Sequence, residues 1–126
     1  MKFPDHLVYT THDEWVHVVG DTITVGISDY AQDALGELVH VEMPDVGDTF
    51  DAEDMVCEVE SVKAVAEVYA PAAGEVIAVN ESLEDAAENV NSSPYDSWLF
   101  KLRVSDPSPL SALMSAEAYA AKVSDS

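Results

Sequence analysis

Apolar and polar residues alternate along much of this chain with a period of two, the mark of half-buried strands. Trp15-Val16-His17-Val18-Val19 and Thr22-Ile23-Thr24-Val25 are β-branched and aromatic runs separated only by Gly20-Asp21. Two turn-forming residues between two such runs predict a hairpin over 15–27. Ser28 then suits a helix N-cap, Asp29 sits where the helix dipole favours an acid, and Gly36 supplies a stop, so a short helix is predicted between them. Further strands are predicted at 38–43, 55–60, 64–70, 75–79 and 99–104. In the second of these Met55, Cys57 and Val59 alternate with Glu58 and Glu60. Closely spaced short strands point to a sandwich or barrel, not to parallel βαβ units. Near the C-terminus the period lengthens. Ser108 as N-cap, Pro109 at the first helical position, and Leu110, Leu113, Met114, Ala118 and Ala121 on one face predict a docking helix over about 109–123.

One pattern recurs. Val41-Glu42-Met43-Pro44-Asp45-Val46-Gly47-Asp48 matches Val68-Tyr69-Ala70-Pro71-Ala72-Ala73-Gly74-Glu75, with Val, Pro, Gly and an acid in register. Each copy reads as a strand end, a Pro-x-x-Gly turn and a new strand. Two copies are too few for a solenoid and suit a pseudo-twofold sandwich in which each half covers the other.

Composition narrows the picture. The chain has 126 residues, 48% of them hydrophobic, which fits one domain over 1–126 with a core of its own. Cys57 is the single cysteine, so no intramolecular disulfide forms. No apolar run approaches the roughly 18 residues of a membrane helix, and the first residues carry no signal-like apolar stretch, so a soluble cytoplasmic protein is expected. Five Lys+Arg against 25 Asp+Glu leave a net charge of −20. That sign excludes a phosphate-binding surface and so nucleic acid, and it excludes an anionic membrane surface as well. The acid is interleaved with apolar residues, unlike a disordered tail. Adaptation to high salt is the favoured explanation of the excess, and docking to basic partners is the other.

Most candidate chemistry dissolves on inspection. Cys57 alternates with core positions, as buried structural cysteines do. His6, His12, His17 and His40 show no metal-ligand spacing. Carboxylate pairs are too common in so acidic a chain to be specific. Lys63 is different: it falls between two strand patterns, at the place of a hairpin tip, where an amine is reachable from all sides. Pro44, Gly47, Pro71 and Gly74 frame that hairpin.

The surrounding motifs are specific. Glu60-Ser61-Val62-Lys63-Ala64 is preceded by Leu-Gly-Glu-Leu-Val-His-Val-Glu-Met-Pro-Asp-Val-Gly over 35–47. It is followed by Ala-Pro-Ala-Ala-Gly-Glu-Val-Ile-Ala-Val-Asn over 70–80 and Asn-Ser-Ser-Pro-Tyr-Asp-Ser-Trp-Leu over 91–99. With Gly-Ile-Ser-Asp-Tyr-Ala-Gln-Asp-Ala-Leu-Gly over 26–36, the chain resembles the glycine cleavage system H proteins across about residues 7–120. The resemblance implies a mainly β, lipoyl-type barrel-sandwich hybrid of two antiparallel sheets, with a short helix in the N-terminal half and a C-terminal helix. It implies a carrier, not an enzyme, with lipoic acid joined to Lys63 as an amide. The dithiolane of such an arm performs redox and group-transfer chemistry that side chains do not. The implied partners are a pyridoxal-phosphate glycine decarboxylase, a tetrahydrofolate-dependent aminomethyltransferase, a dihydrolipoamide dehydrogenase using FAD and NAD, and a lipoate-attaching enzyme. By family position Glu14, Ile27, Leu35, Ala64 and Glu67 flank the parked arm, with Glu14 as counterion to an aminomethyl amine.

Departures touch the polar detail of that cleft. His12-Asp13-Glu14-Trp15 replaces a His-Glu-Trp stretch. Ala34 stands where a histidine is common, and Ala86-Ala87-Glu88 occupies a region that often holds proline. The competing readings are another lipoyl-domain carrier, a lipoate relay protein and an acidic β-sandwich adaptor with no prosthetic group. A minimal lipoyl domain would lack the N-terminal hairpin and the two helices. A biotin carrier would flank its lysine with methionines, whereas Val62 and Ala64 stand here.

Overall fold

The computed structural model describes residues 1–124; the last two residues of the 1–126 domain lie outside the described residues. The predicted N-terminal hairpin forms from β2 (Glu14–Val19) and β3 (Thr22–Ile27), closed by the pair Val19 and Thr22 around Gly20-Asp21. A two-residue strand β1 (Val8–Tyr9) pairs with β2 ahead of it. Helix α1 (Asp29–Leu35) starts as its sequence dictates: the Ser28 hydroxyl accepts from the Ala31 N–H. It stops at Gly36, whose φ of 80° and ψ of −159° belong to a region open essentially to glycine alone.

Then follow β4 (Leu38–Glu42), β5 (Thr49–Phe50), β6 (Met55–Ser61), β7 (Val65–Tyr69) and β8 (Gly74–Val79). Two single-turn helices, α2 (Ser82–Asp85) and α3 (Asn89–Ser92), lead to β9 (Phe100–Val104), and α4 (Ala116–Ser124) ends the described chain. All strand pairs are antiparallel. They form one six-stranded sheet, β1-β2-β3-β9-β8-β5, and one three-stranded sheet, β4-β6-β7. The sheets close on a shared core. Val16, Ile23, Val25, Phe100 and Leu102 come from the larger sheet, and Val41, Val59 and Val68 from the smaller. Each such side chain contributes about 1.5–3 kcal/mol by leaving water. This is the barrel-sandwich expected: mainly β, two antiparallel sheets, few and short helices.

The internal repeat has a geometric meaning. Val41 pairs with Val59 and Val68 with Cys57, so the two copies flank β6 on either side. Each copy then passes its proline and leaves the small sheet for the large one, where β5 and β8 pair.

Two expectations are corrected. Met55 does not continue the inward alternation: it is 44% exposed, while Val56 and Cys57 are both buried. The register shifts between Met55 and Cys57, so the strand bulges and places an extra residue opposite its partner. The C-terminal helix does not run from 109. Ser108–Ala112 forms a 3-10 turn, and Leu113 is extended. Met114 exchanges both backbone hydrogen bonds with Tyr9, at 2.8 Å each, so a strand contact interrupts the helix. Ser115, not Ser108, caps α4, its hydroxyl accepting from the Ala118 N–H. The buried face of α4 is Ala116 and Tyr119; Ala118 and Ala121 are exposed. Tyr119 stacks on Tyr9 with ring centroids 4.7 Å apart in a second cluster with Leu7 and Trp15. Among the described residues, no helix is long and apolar enough to cross a membrane.

Candidate functional site

Lys63 sits at the tip of the β6–β7 hairpin, exposed between Val62 and Ala64. The Ser61 N–H bonds the Ala64 carbonyl at 2.8 Å and closes a two-residue tip. The Ser61 hydroxyl oxygen accepts from the N–H groups of Lys63 and Ala64, at 3.2 and 3.0 Å. The Val62 N–H donates to the Glu37 carbonyl, so the tip is also tied to the link between α1 and β4. That link is clamped from far along the chain. The Asn91 side chain donates to the Gly36 carbonyl and to Gln32 Oε1, and accepts from the Leu38 N–H, at 2.8, 3.0 and 2.9 Å. The Lys63 stem lies against this platform: a Cβ at Gly36 would stand 3.5 Å from Lys63 Cε and 3.9 Å from its Nζ.

Beside the platform, between α1 and β7, lies a cleft of about 170 Å³. Ile27, Ala31, Leu35, Ala66 and Val68 make it apolar, and Glu67, His12 and Asp13 make it polar. Ala34, on α1, lines it as well. An exposed amine next to an apolar trough with polar groups on its border fits a long apolar arm that can carry a cationic end, which is what a lipoyl arm on Lys63 loaded with an aminomethyl group would be.

Glu14 lines a neighbouring cleft of about 220 Å³; His12 lines both clefts, and none of the expected contacts does. Glu14 is 1% exposed and bridges the sheets. Its Oε1 accepts from the Thr10 hydroxyl at 2.7 Å, and its Oε2 accepts from the Tyr69 N–H at 2.9 Å on the edge strand β7. Burial pushes this carboxyl above the ordinary carboxylate range, against the lowering effect of those two hydrogen bonds and of His12. Around it the His12 ring rests on Tyr69 with centroids 4.5 Å apart and bonds Glu53 at 2.8 Å. The Tyr69 hydroxyl donates to Glu67 at 2.7 Å. The structure thus brings Ile27, Leu35 and Glu67 into one cleft. It leaves Ala64 on the open tip beside the lysine and sets Glu14 on the far side of the His12–Tyr69 contact. Cys57 is buried, and burial pushes its thiol far up, which suits a core residue. Among the described residues, no cluster of three or more His, Cys, Asp or Glu is arranged to hold a metal ion.

The family model for glycine cleavage H-protein matches residues 7–126. The chain belongs to the glycine cleavage H-protein family. It is 53% identical over 121 residues to a probable glycine cleavage system H protein of Thermococcus gammatolerans, covering 94% of this chain and 90% of that one. It is 51% identical over 123 residues to the glycine cleavage system H protein of Chromohalobacter salexigens, covering 96% and 94%. A crystal structure of the H protein from Mycobacterium marinum superposes with a TM-score of 0.85 at 34% identity, covering 96% of this chain and 98% of that one. H proteins are lipoyl-carrying components of the glycine cleavage system, working with its other components, and are not themselves enzymes.

Several residues of the site are not legible in the sequence. Asn91 lay inside a recognised motif, but nothing local shows that it reaches back across more than fifty residues. Thr10 and Tyr69 hold Glu14 through a hydroxyl and a backbone N–H, and neither carries a sequence signal. His12 shows no metal-ligand spacing and is displaced by one position from the family stretch; its proximity to Glu14 is the available clue.

Proposed function

We propose that this chain is the lipoylated carrier of a glycine cleavage system, with Lys63 Nζ as the point of attachment. The observation that carries the reading is the placement of an exposed lysine on a pinned hairpin tip, its stem against Gly36, the neighbour in sequence of Leu35, which lines the apolar cleft. Attachment joins the carboxyl of lipoate to the amine as an amide and removes its positive charge. When attached, the group supplies the dithiolane chemistry that takes up the aminomethyl fragment of glycine and passes on electrons. The protein's own contribution is presentation and shelter. Ser61 and Glu37 hold the tip, while Ile27, Leu35, Ala66 and Val68 exclude water along the trough. Glu67 and, beyond His12, Glu14 offer carboxylates to a cationic end of the arm. Both Glu14 oxygens already accept one hydrogen bond, and each keeps a free lone pair. The partners are the decarboxylase, the aminomethyltransferase, the dihydrolipoamide dehydrogenase and the lipoate-attaching enzyme, each of which meets the molecule at the lysine end.

Lys63→Arg keeps charge and exposure but forms no stable amide. It is expected to abolish lipoate attachment and glycine–bicarbonate exchange while changing unfolding free energy by no more than about 0.5 kcal/mol. Peptide mapping that locates attachment on another lysine overturns the assignment.

Glu14 gives a test with a pH signature. Its pKa is raised in the native protein, so the native state holds this proton more tightly than the unfolded chain. The resulting stabilisation is present in full below the unfolded-state value and is lost as pH rises through the native one. Relative to Glu14→Gln, the wild type is therefore expected to lose stability as pH rises above the ordinary glutamate value of about 4, read from urea midpoints. The same variant keeps attachment at Lys63 and slows exchange. Parallel pH profiles mean that Glu14 is not buried in this way, and unchanged exchange removes it from the arm's contacts.

A further inference from the structure

Helix α1 forms one wall of the cleft beside Lys63, yet none of its residues is fully buried. Ala31 and Leu35 pack against the core while staying partly exposed. Helices shorter than about 12–15 residues do not hold themselves in water, and this one has seven residues and little buried surface. Its place therefore depends on the ties at its two ends. Asn91 clamps the C-terminal end at Gly36. At the N-terminal end the Asp29 N–H donates to the Tyr95 hydroxyl at 3.1 Å, and the Ser28 hydroxyl meets that of Tyr119 on α4, 91 residues away, at 2.6 Å.

Counting protons fixes the direction of that contact. The Tyr119 hydroxyl donates to Asp13 Oδ1 at 2.9 Å, since a carboxylate oxygen only accepts. Having given its one proton, it accepts from the Ser28 hydroxyl, whose oxygen accepts from the Ala31 N–H. A single chain of hydrogen bonds thus runs from Ala31 through Ser28 and Tyr119 to Asp13. Ser28 and Tyr119 are both 0% exposed, so neither hydroxyl has solvent to turn to. Burial pushes the Tyr119 phenol far above its ordinary value, so it keeps its proton. Asp13 takes a φ of +67°, in the left-handed region, and its carbonyl accepts from the Ser28 N–H at 2.9 Å. Asp13 and Ala31, the two ends of the chain, both line the cleft. Stacking on Tyr9 and the edge contact with Phe3 call for a ring at 119, and phenylalanine would supply one. The hydroxyl answers to something else.

We propose that Tyr119 is a positioning residue for the arm cleft: its hydroxyl pins the start of α1 to Asp13 and so keeps the wall of Ala31 and Leu35 in place over a sheltered arm. The proposal rests on reading that cleft as the shelter of a lipoyl arm. The C-terminal helix then takes part in protecting the loaded arm without touching it. Tyr119→Phe keeps the ring and removes the link. The buried Ser28 proton loses its acceptor and Asp13 Oδ1 loses its donor, and both recover partners only by rearranging or by admitting water at the start of α1.

The test sets Tyr119→Phe in the full chain against Phe3→Leu, which thins the same aromatic cluster and leaves the hydroxyl in place. In the protein with a bare Lys63, hydrogen exchange at the Ser28 and Ala31 amides, taken relative to the core amides of Val76 and Leu102, is expected to speed at least about threefold in Tyr119→Phe. Phe3→Leu leaves that ratio as in the wild type. The second readout is hydrolysis of the loaded arm, in which water releases ammonia and formaldehyde and returns the dithiol. After loading with glycine and the decarboxylase, and with no transferase present, Tyr119→Phe is expected to release ammonia at least about threefold faster than the wild type or Phe3→Leu. Attachment of lipoate at Lys63, read by intact mass, stays unchanged in both variants. Absence of attachment in the wild type fails the carrier reading; with attachment intact, the two rates test Tyr119 alone. The proposal is overturned if exchange at Ser28 and Ala31 merely follows the core amides, if ammonia release keeps the wild-type rate, or if Phe3→Leu matches Tyr119→Phe in either readout.

Discussion

Two hairpins dominate this protein, each with a two-residue tip, and they are held in different ways. The β2–β3 tip is Gly20-Asp21, where Gly20 takes a φ of +62° that glycine adopts without strain. A side chain at Gly20 would meet nothing within 4 Å, and the turn touches β9 through the Asp21 carbonyl, which accepts from the Val104 N–H at 2.7 Å. The β6–β7 tip is Val62-Lys63, and neither residue has a positive φ. The Ser61 hydroxyl takes the place of turn-forming residues by accepting two N–H groups, and the Glu37 carbonyl accepts a third. The first tip takes its shape from its own glycine. The second is shaped by tertiary contact as well, and it carries the lysine. A glycine tip would leave Lys63 free to swing, whereas a tip fastened to the platform of Gly36, Glu37 and Asn91 presents it in one relation to the cleft.

The contrast has breaking points. The largest expected effect lies at the base of the first hairpin, where Trp15 pairs with Gly26. A Cβ at Gly26 would stand 2.5 Å from the Trp15 ring, which is buried. Gly26→Ala is thus expected to cost about 1–3 kcal/mol in urea unfolding through overpacking, with lipoate attachment to the folded fraction unaffected. A cost near zero would show that the ring moves freely.

Next comes the clamp. Asn91→Ala strands the Leu38 N–H and the Gly36 carbonyl and is expected to cost about 1–2 kcal/mol. Because the platform under the second tip loosens, the rate of attachment at Lys63 falls as well, at temperatures where the variant is folded. Asn91→Asp keeps the acceptor for Leu38 and recovers part of both. An attachment rate that tracks only the folded fraction would confine Asn91 to stability.

The smallest pair compares the tips themselves. Ser61→Ala is expected to cost about 0.5–1.5 kcal/mol and to speed amide exchange at Lys63 and Ala64, and Ser61→Asp restores much of it by offering the same acceptor. Asp21→Ala in the glycine tip stays within about 0.5 kcal/mol. Equal costs at the two tips would erase the distinction drawn between them.

The sequence alone determined whatever depends on near neighbours. The alternation of β2 and β3, the Gly20 turn, the Ser28 cap and the Gly36 stop all follow from interactions within a few residues. The lysine-bearing hairpin was legible from the strand patterns on either side of Lys63, and the family from motifs spread over residues 26–99. Tertiary structure decided the rest. Met114 reads as helix by spacing, yet pairing with Tyr9 offers its backbone a strand partner and delays α4 to Ala116. The bulge at Met55 appears only when β7 is laid beside β6. The split of the expected arm contacts, with Ile27, Leu35 and Glu67 in one cleft and Glu14 behind His12 and Tyr69, depends on how two sheets close on each other. Asn91 reaches Gly36 and Leu38 across more than fifty residues. Periodicity records which side of its own strand or helix a residue faces. It carries no record of which distant backbone group will need a partner once the faces meet, and those needs set Asn91 on the Leu38 N–H and the Gly36 carbonyl, and Glu14 on the Tyr69 N–H.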